Sequence, residues 1–426
     1  MTRVLENIVC LECGCQCDDV RLTLRDHRIV QAENVCAAGE AWFLAQDAHP
    51  GPVAAISGRS VSRTEALAEA ARVLAASRSP LIFGLSHVGT EAQRSAIRLA
   101  DRLGATLDLA ASRGHSAASL ALAQVGSSTS TLGEVRHRAD LVIFWGADPA
   151  VTHPGHLERH SVFPKGEWVP AGRADRQVVV LDARPTKTSA LADLFLQVEP
   201  EGAFERIAAL RAILRGRAAP DRSCGGFVPA QLHDLVSRMK TCRTGAIFYG
   251  PGLYEGKLPH QILESLFRLT QELNAHARFY VASLGSGGNL TGAANVLAWQ
   301  TGYPLAVNFA RGYPRYRPGE FSAESALERG EIDACLVVGH RDFAGLSPAA
   351  QAQLRKIPTI LLAGADRPPL EPAPQVAIAV AVDGVHVATT AYRVDGVALP
   401  LTAILPTPLP AVVEVLGELE ALLPVR

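Results

Sequence analysis

Near its start the chain carries Cys10-Leu-Glu-Cys13-Gly-Cys15-Gln-Cys17-Asp-Asp, and a further cysteine returns in Asn34-Val-Cys36-Ala-Ala-Gly39. Five of the eight cysteines lie between residues 10 and 36, a concentration that background composition does not produce. Cys10, Cys13, Cys17 and Cys36 read C-x2-C-x3-C-x18-C. Three thiolates on a tight loop plus one from outside it form a donor set for one [4Fe–4S] cube. A four-cysteine zinc site usually shows two C-x2-C pairs. Here the second half offers one cysteine, so the spacing favours iron–sulfur, with zinc and an empty vestigial site as the alternatives. The four sulfurs of such a site should stand within about 7 Å of one another. Cys15 is a spare with a structural role, and Cys224, Cys242 and Cys335 are scattered as small buried hydrophobes.

Composition sets the class of protein that must position these thiols. The 426 residues are 48 % hydrophobic and 19 % charged, with a net charge of −1. That length implies two or three domains with large cores. No basic excess suggests nucleic acid, and no apolar run reaches roughly 18 residues, so no membrane span is expected. Cysteine ligands begin at residue 10, which argues against a secretion or twin-arginine leader. Clustered cysteines in that setting fit a reducing cytoplasm and metal binding rather than disulfides.

Beyond the cysteines a strand–loop–helix grammar repeats. Pro80-Leu-Ile-Phe-Gly84, Asp140-Leu-Val-Ile-Phe-Trp-Gly146, Gln177-Val-Val-Val-Leu-Asp182, Gly245-Ala-Ile-Phe-Tyr-Gly250, Ile332 to Gly339 and Ile357 to Gly364 read as apolar strands. Glu91 to Leu103 and Ala411 to Leu423 carry helical periodicity. Continuous apolar strands alternating with helices predict parallel sheets covered on both faces, with ligands at the carboxyl ends of the strands. The segments to read are therefore Gly84-Leu-Ser, Gly146-Ala-Asp148-Pro149, Asp182-Ala-Arg-Pro-Thr186, Gly250-Pro-Gly252 and Gly339-His340-Arg341-Asp342. Two polar, glycine-rich stretches read as loops: Ala111-Ser-Arg-Gly-His115-Ser, and Gly285-Ser-Gly-Gly-Asn289-Leu-Thr-Gly292-Ala-Ala-Asn295. Glycines there would let backbone amides approach a phosphate, although ordinary turns use the same residues.

Taken together these pieces resemble the B subunit of formylmethanofuran dehydrogenase, within the molybdopterin oxidoreductases. The resemblance rests on the cysteine module, on Thr131 to Gly146, and on His153-Pro-Gly-His-Leu-Glu-Arg159. It also rests on Asp182 to Thr186, Asn289-Leu-Thr-Gly292 to Trp299, Gly302-Tyr-Pro304, Pro314 to Glu320 and Ala391-Tyr-Arg-Val-Asp-Gly396. It implies an α/β fold of the molybdopterin-oxidoreductase type: a small N-terminal iron–sulfur module and two Rossmann-like parallel-sheet lobes with a pterin between them. The expected division is 1–55 for the module, 56–130 with 318–400 for the first lobe, 131–317 for an inserted second lobe, and 401–426 for a C-terminal tail. On that resemblance Asp148, Asp182, Asn289, Thr291 and Asn295 are the cofactor-cradling candidates. Asp182 has an equal alternative as the N-cap of a following helix.

One departure outweighs the matches. The family places a metal-ligating cysteine or selenocysteine directly before a histidine after the second sheet strand; here that pair is Gly114-His115. Glycine has no donor, whereas a soft thiolate is what suits such a metal. Ser112 and Ser116 are out of register. The resemblance therefore implies lost dehydrogenase chemistry, no tungsten- or molybdenum-bearing molybdopterin, no catalytic residue, and His115 as a pocket or structural histidine. It points instead to the B-like member of the bacterial formyltransferase/hydrolase complex in tetrahydromethanopterin-linked formaldehyde oxidation. The implied partners are an A-like zinc amidohydrolase, the C subunit and the D formyltransferase subunit, with a furan-type one-carbon carrier reached through the complex. An active tungsten or molybdenum dehydrogenase and a stand-alone iron–sulfur electron carrier are the competing readings. His153 and His156 tempt a zinc reading but lack a third ligand. Arg311, Arg315 and Arg317 with Tyr313 and Tyr316 could meet phosphate or carboxylate groups or simply a surface.

Overall fold

The apolar runs become the parallel strands they predict. A computed structural model describes residues 2–46, 53–110, 112–218, 222–254, 257–285, 287–340, 342–364 and 370–424. The chain divides into two compact units, Met1–Ser112 with Gly287–Arg426, and Arg113–Ser286.

In the first unit a nine-stranded sheet has five parallel strands at its centre: Thr106–Leu109, Pro80–Gly84, Ala334–Val338, Thr359–Ala363 and Val376–Ala379 in spatial order. Successive side chains point to opposite faces. Ile82 and Leu336 therefore join one core with the helices Arg63–Ala76, Thr90–Leu103 and Val412–Leu422. Leu81, Phe83, Cys335 and Val337 join another with Ala323, Leu327 and Leu354. The helix Arg63–Ala76 opens on a reciprocal Ser62–Glu65 capping box, the device that satisfies orphan amides at a helix start. The expected C-terminal tail is integral to this lobe. Its helix Val412–Leu422 is tied in by Arg63–Glu418 at 3.0 Å and Arg98–Glu420 at 2.8 Å.

The cysteine-bearing segment forms a three-stranded antiparallel sheet, Thr2–Ile8, Val20–Arg25 and Arg28–Glu33, followed by the helix Ala37–Leu44. Its core is continuous with Val382, Val385, Leu399, Leu401 and Leu405. A hairpin of Thr389–Tyr392 and Ala398–Leu401 thus completes the N-terminal region from the other end of the chain.

The second unit holds five parallel strands in the order Leu194–Gln197, Gln177–Asp182, Leu141–Trp145, Thr244–Tyr249 and Arg278–Ser283. This unit runs from Arg113 to Ser286, whereas the sequence places an inserted lobe at 131–317. At the later crossing the difference goes with Asp108. Its buried carboxylate accepts the backbone N–H groups of Ala306 at 3.0 Å and Ala323 at 2.7 Å. This draws Val307–Asn308 and Arg315–Tyr316 onto the first sheet as antiparallel edge strands. Two-residue strands among Gly, Pro and Arg have no apolar periodicity to announce them.

The first glycine-rich stretch departs from the loop expectation, and the second does so only from Leu290 onward, Gly285 and Gly287–Asn289 being irregular. Ser112–Val125 is a helix, and so is Leu290–Thr301. Ala-rich sequence after each Gly/Ser start supplies the propensity, so Gly114, His115, Thr291 and Asn295 stand on helices. Ala111 and Ser286 lie outside the described residues.

Candidate functional site

The cysteine loop closes on itself through Cys10 N–H to Cys17 O at 2.9 Å and Gln16 N–H to Cys13 O at 3.2 Å. Cys10, Cys15 and Cys17 are buried, while Cys13 and Cys36 are half-buried. Cys36 caps the helix Ala37–Leu44, one turn of which brings Gly39 beneath the loop. A Cβ at residue 39 would lie 3.0 Å from Cys10 Sγ and 3.9 Å from Cys36 Sγ, and it would strike Val35 Cγ2. Those two distances hold the two sulfurs within about 7 Å, the reach of one cluster. Burial pushes the Cys10 thiol well up, and the neighbouring charges of Cys13, Cys17 and Cys36 add to it. A hydrogen bond from Cys15 lowers Cys13 instead, so Cys15 engages a neighbouring thiol rather than simply filling space. Among the described residues, no group of three or more His, Cys, Asp or Glu converges as the ligands of a single metal ion would.

The loop is fixed from outside by Gln16. Its carboxamide donates to Gly288 O at 3.1 Å and Tyr392 O at 2.9 Å. Arg393 reaches Asp395 at 2.8 Å and Asp18 at 3.8 Å. Gly288, just ahead of the Asn289 motif, and the motif Ala391 to Gly396 therefore buttress the cysteine loop.

Asn289 is fully buried and its side chain is committed. It donates to Val88 O at 2.9 Å and accepts Tyr392 N–H at 2.7 Å. It pins the start of the helix. Thr291 and Asn295 are half-buried one turn apart on that helix, in line with the exposed Trp299. Beside this pin two of the strand-end segments expected to face a ligand, Gly84-Leu-Ser86 and Gly339-His340, come together with His87, which no sequence signal marks. Ser86 Oγ sits 2.9 Å from His87 Nδ1 and 3.0 Å from His340 Nδ1. It stands where the strands Pro80–Gly84 and Ala334–Val338 diverge, the switch point at which open α/β sheets place ligands.

The second unit has its own switch point, between Leu141–Trp145 and Thr244–Tyr249. Gly146 adopts φ +58°, and Gly252 N–H donates to its carbonyl at 3.0 Å. A Cβ on Gly146 would meet the Leu253 backbone, so glycine is required there. This contact sets the short turn Pro251–Tyr254. Asp148 receives both the N–H and the hydroxyl of Thr188. Asp182 ends its strand without capping a helix; its near contact is Arg184 N–H at 3.4 Å, and the next helical turn is capped at Thr188. Burial raises the Asp182 pKa, and the charge of Asp148 adds to the rise.

At residue 114 the surroundings are aromatic. A Cβ there would stand 2.7 Å from Tyr254 Cζ and 2.8 Å from Cε2, and would clash with the phenol oxygen. His115 Nε2 is buried with no hydrogen-bond partner among the described residues, and burial lowers its pKa. His156 packs edge-on to Phe248, centroids 4.4 Å apart, and shares a 2.9 Å hydrogen bond with Ser161. With His153 beside Thr152 at 2.9 Å, the His-Pro-Gly-His segment braces a turn. Arg315 donates to Asn308 at 2.6 Å and covers Phe321, so part of the cationic turn is spent on the sheet edge. Tyr254 was the residue missed: the sequence reading stopped at Gly252, two positions short of it.

The chain is 36 % identical over 417 residues to the B subunit of the tungsten-containing formylmethanofuran dehydrogenase 2 of Methanocaldococcus jannaschii, covering 96 % of this chain and 95 % of that one. The chain belongs to the family of formylmethanofuran dehydrogenase B subunits. The corresponding Methanococcus maripaludis protein is 34 % identical, covering 95 % of each. The B subunit of the Methylorubrum extorquens formyltransferase/hydrolase complex is 28 % identical, over 66 % of this chain and 73 % of that one. No family model matches. The crystal structure of that M. extorquens complex with methylofuran superposes with a TM-score of 0.69, at 26 % identity, over 87 % of this chain and 98 % of the other. Acetylene hydratase from Pelobacter acetylenicus matches in fold, with a TM-score of 0.66 at 12 % identity, over 98 % of this chain and 69 % of that one. The α/β fold is thus of the molybdopterin-oxidoreductase type. No described helix is long and apolar enough to cross a membrane.

Proposed function

We propose that this B-family chain is a redox-inactive scaffold of a formyltransferase/hydrolase complex in tetrahydromethanopterin-linked one-carbon metabolism. The observation that carries this is Gly114. The position assigned to the metal ligand bears no donor, and a tyrosine ring fills the space beside it. A metal held by a soft side chain needs both a donor and room for it. These residues do not fit a tungsten or molybdenum centre, so no reaction step is assigned through one. The chain's work is then to hold its sister subunits, an A-like zinc amidohydrolase, a C subunit and a D formyltransferase, which act on a furan-type carrier in the cytoplasm.

The cysteine loop is the other candidate for a bound group. Cys10, Cys13, Cys17 and Cys36 would hold a [4Fe–4S] cluster, with Gly39 leaving space for the Cys10 sulfur. When bound, such a cluster supplies one-electron chemistry. The chain's own contribution is to fasten the loop to the hairpin through Gln16, with Cys36 at the N-cap position of the helix Ala37–Leu44.

A second reading is the catalytic subunit of an active tungsten or molybdenum formylmethanofuran dehydrogenase. It is favoured by the retained cysteines and by the whole-chain identity to the tungsten-containing relatives. Purification of the complex through a tag on this chain, with identification of its components and metal quantification, separates the two. Co-purifying amidohydrolase and formyltransferase without tungsten or molybdenum supports the scaffold. Viologen reduction by formate or a formylated furan, with stoichiometric tungsten or molybdenum, overturns it.

A further inference from the structure

Three residues distant in sequence meet in the second unit: Gly114 on the helix Ser112–Val125, Tyr254 at the end of the turn Pro251–Tyr254, and Gly285 just after the strand Arg278–Ser283. The phenol oxygen of Tyr254 would clash with a Cβ at residue 114. It would also stand 2.8 Å from one at residue 285, and both lie well inside van der Waals contact. The two missing Cβ atoms therefore leave the slot that the ring occupies. Gly114 lies in the first turn of a helix and is not among the glycines with positive φ, so its backbone does not demand glycine.

The ring is also held from behind. The turn that carries it is anchored at its backbone, because Gly252 N–H is bonded to Gly146 O at 3.0 Å and Leu253 is fully buried, while the Tyr254 side chain itself is half-buried. Tyr249 packs edge-on to the Tyr254 ring with centroids 6.3 Å apart. A side chain added at residue 114 would have to displace the outer end of this ring, and overpacking of that kind is destabilising.

We propose that Tyr254 is a plug. It fills the space of the metal-ligating side chain and makes loss of the ligand at residue 114 irreversible by a single substitution. The proposal rests on the scaffold reading for its meaning, but its geometry stands by itself. Restoring a donor with Gly114→Cys would drive the new Cβ into the phenol, so the donor would gain no open pocket. Reopening requires a change at Tyr254 as well.

The test is a double-substitution cycle in the full-length chain within its purified complex, read by thermal unfolding. Alanine normally outranks glycine inside helices, so an unobstructed Gly114→Ala should raise the Tm slightly. With Tyr254 present it should instead lower the Tm by several degrees. In the Tyr254→Ala background the sign should reverse, and Tyr254→Phe should give an intermediate penalty because the ring remains. A second readout follows chemical access. With Gly114→Cys, alkylation of residue 114 by iodoacetamide, followed by peptide mass, should be at least about tenfold faster in the Tyr254→Ala background; here tenfold corresponds to about 1.4 kcal/mol of opening free energy. Equal Tm shifts in both backgrounds, or equal alkylation rates, would overturn the plug while leaving the scaffold reading intact. Conversely, tungsten-dependent turnover of the unaltered complex would sink the scaffold reading whatever the cycle shows.

Discussion

Cys10 and Gly114 pose the same two questions: is there a donor, and is there space beside it? At Cys10 the sulfur is present, three more cysteines surround it in sequence, and Gly39 withholds the Cβ that would crowd it. At Gly114 the donor is gone and Tyr254 has taken the room. Glycine thus does opposite work at the two places. Gly39 makes space for a neighbouring sulfur, whereas Gly114 makes space for a ring that excludes one. The difference teaches that a lost ligand is best judged by what now occupies its volume, not by the missing atom alone.

The comparison breaks most sharply at the cysteines. Cys17→Ser and Cys36→Ser should each abolish assembly of a cluster of about four irons per chain, read by iron and sulfide content after anaerobic reconstitution. Cys335→Ser should leave iron unchanged; its thiol is buried in the sheet core and pushed up to about 12 by that burial. Iron retained in Cys36→Ser would remove the ligand assignment.

Gly39→Ala sharpens the same contrast with a smaller effect. The added methyl meets Cys10 Sγ and Val35 at once, so stability should fall by about 1–3 kcal/mol and iron occupancy should fall with it. Chemical denaturation measured with and without iron separates the two losses. Gly417→Ala is the control, because a Cβ there meets nothing within 4 Å.

The smallest expected effect is electrostatic. Burial raises the Asp182 pKa in the folded chain, so folding favours its protonated form. Its contribution to stability is present below the unfolded value of about 3.9 and declines as pH rises through the folded pKa. Asp182→Asn should therefore raise the Tm slightly at pH 7 and leave it unchanged near pH 3, as thermal scans across pH would record. A larger gain at pH 3 than at pH 7 would contradict the sign.

Much of the frame was legible beforehand, because six of the parallel strands are continuous apolar runs that end in a glycine or an acid at the carboxyl edge. All six are present in the two sheets. What escaped was set by tertiary contact. The edge strands Val307–Asn308 and Arg315–Tyr316 exist because of Asp108, which no local pattern discloses. The resemblance makes Asn289 a cofactor-cradling candidate, and no local pattern discloses that its carboxamide bonds Val88 O and Tyr392 N–H. Gly114 was readable as a missing donor. Its partner Tyr254 was not, because 140 positions separate two residues whose relation is purely steric.

The central claim is that the chain carries no working metal at the Gly114 site, and the most direct measurement is elemental analysis of the purified complex. Cells would be grown with both tungstate and molybdate, the complex isolated without oxygen, and tungsten, molybdenum, iron and pterin quantified per copy of this chain. The account predicts no tungsten or molybdenum above trace, whatever the iron content. One tungsten or molybdenum per copy, with bound pterin and dye reduction in the same preparation, would contradict it.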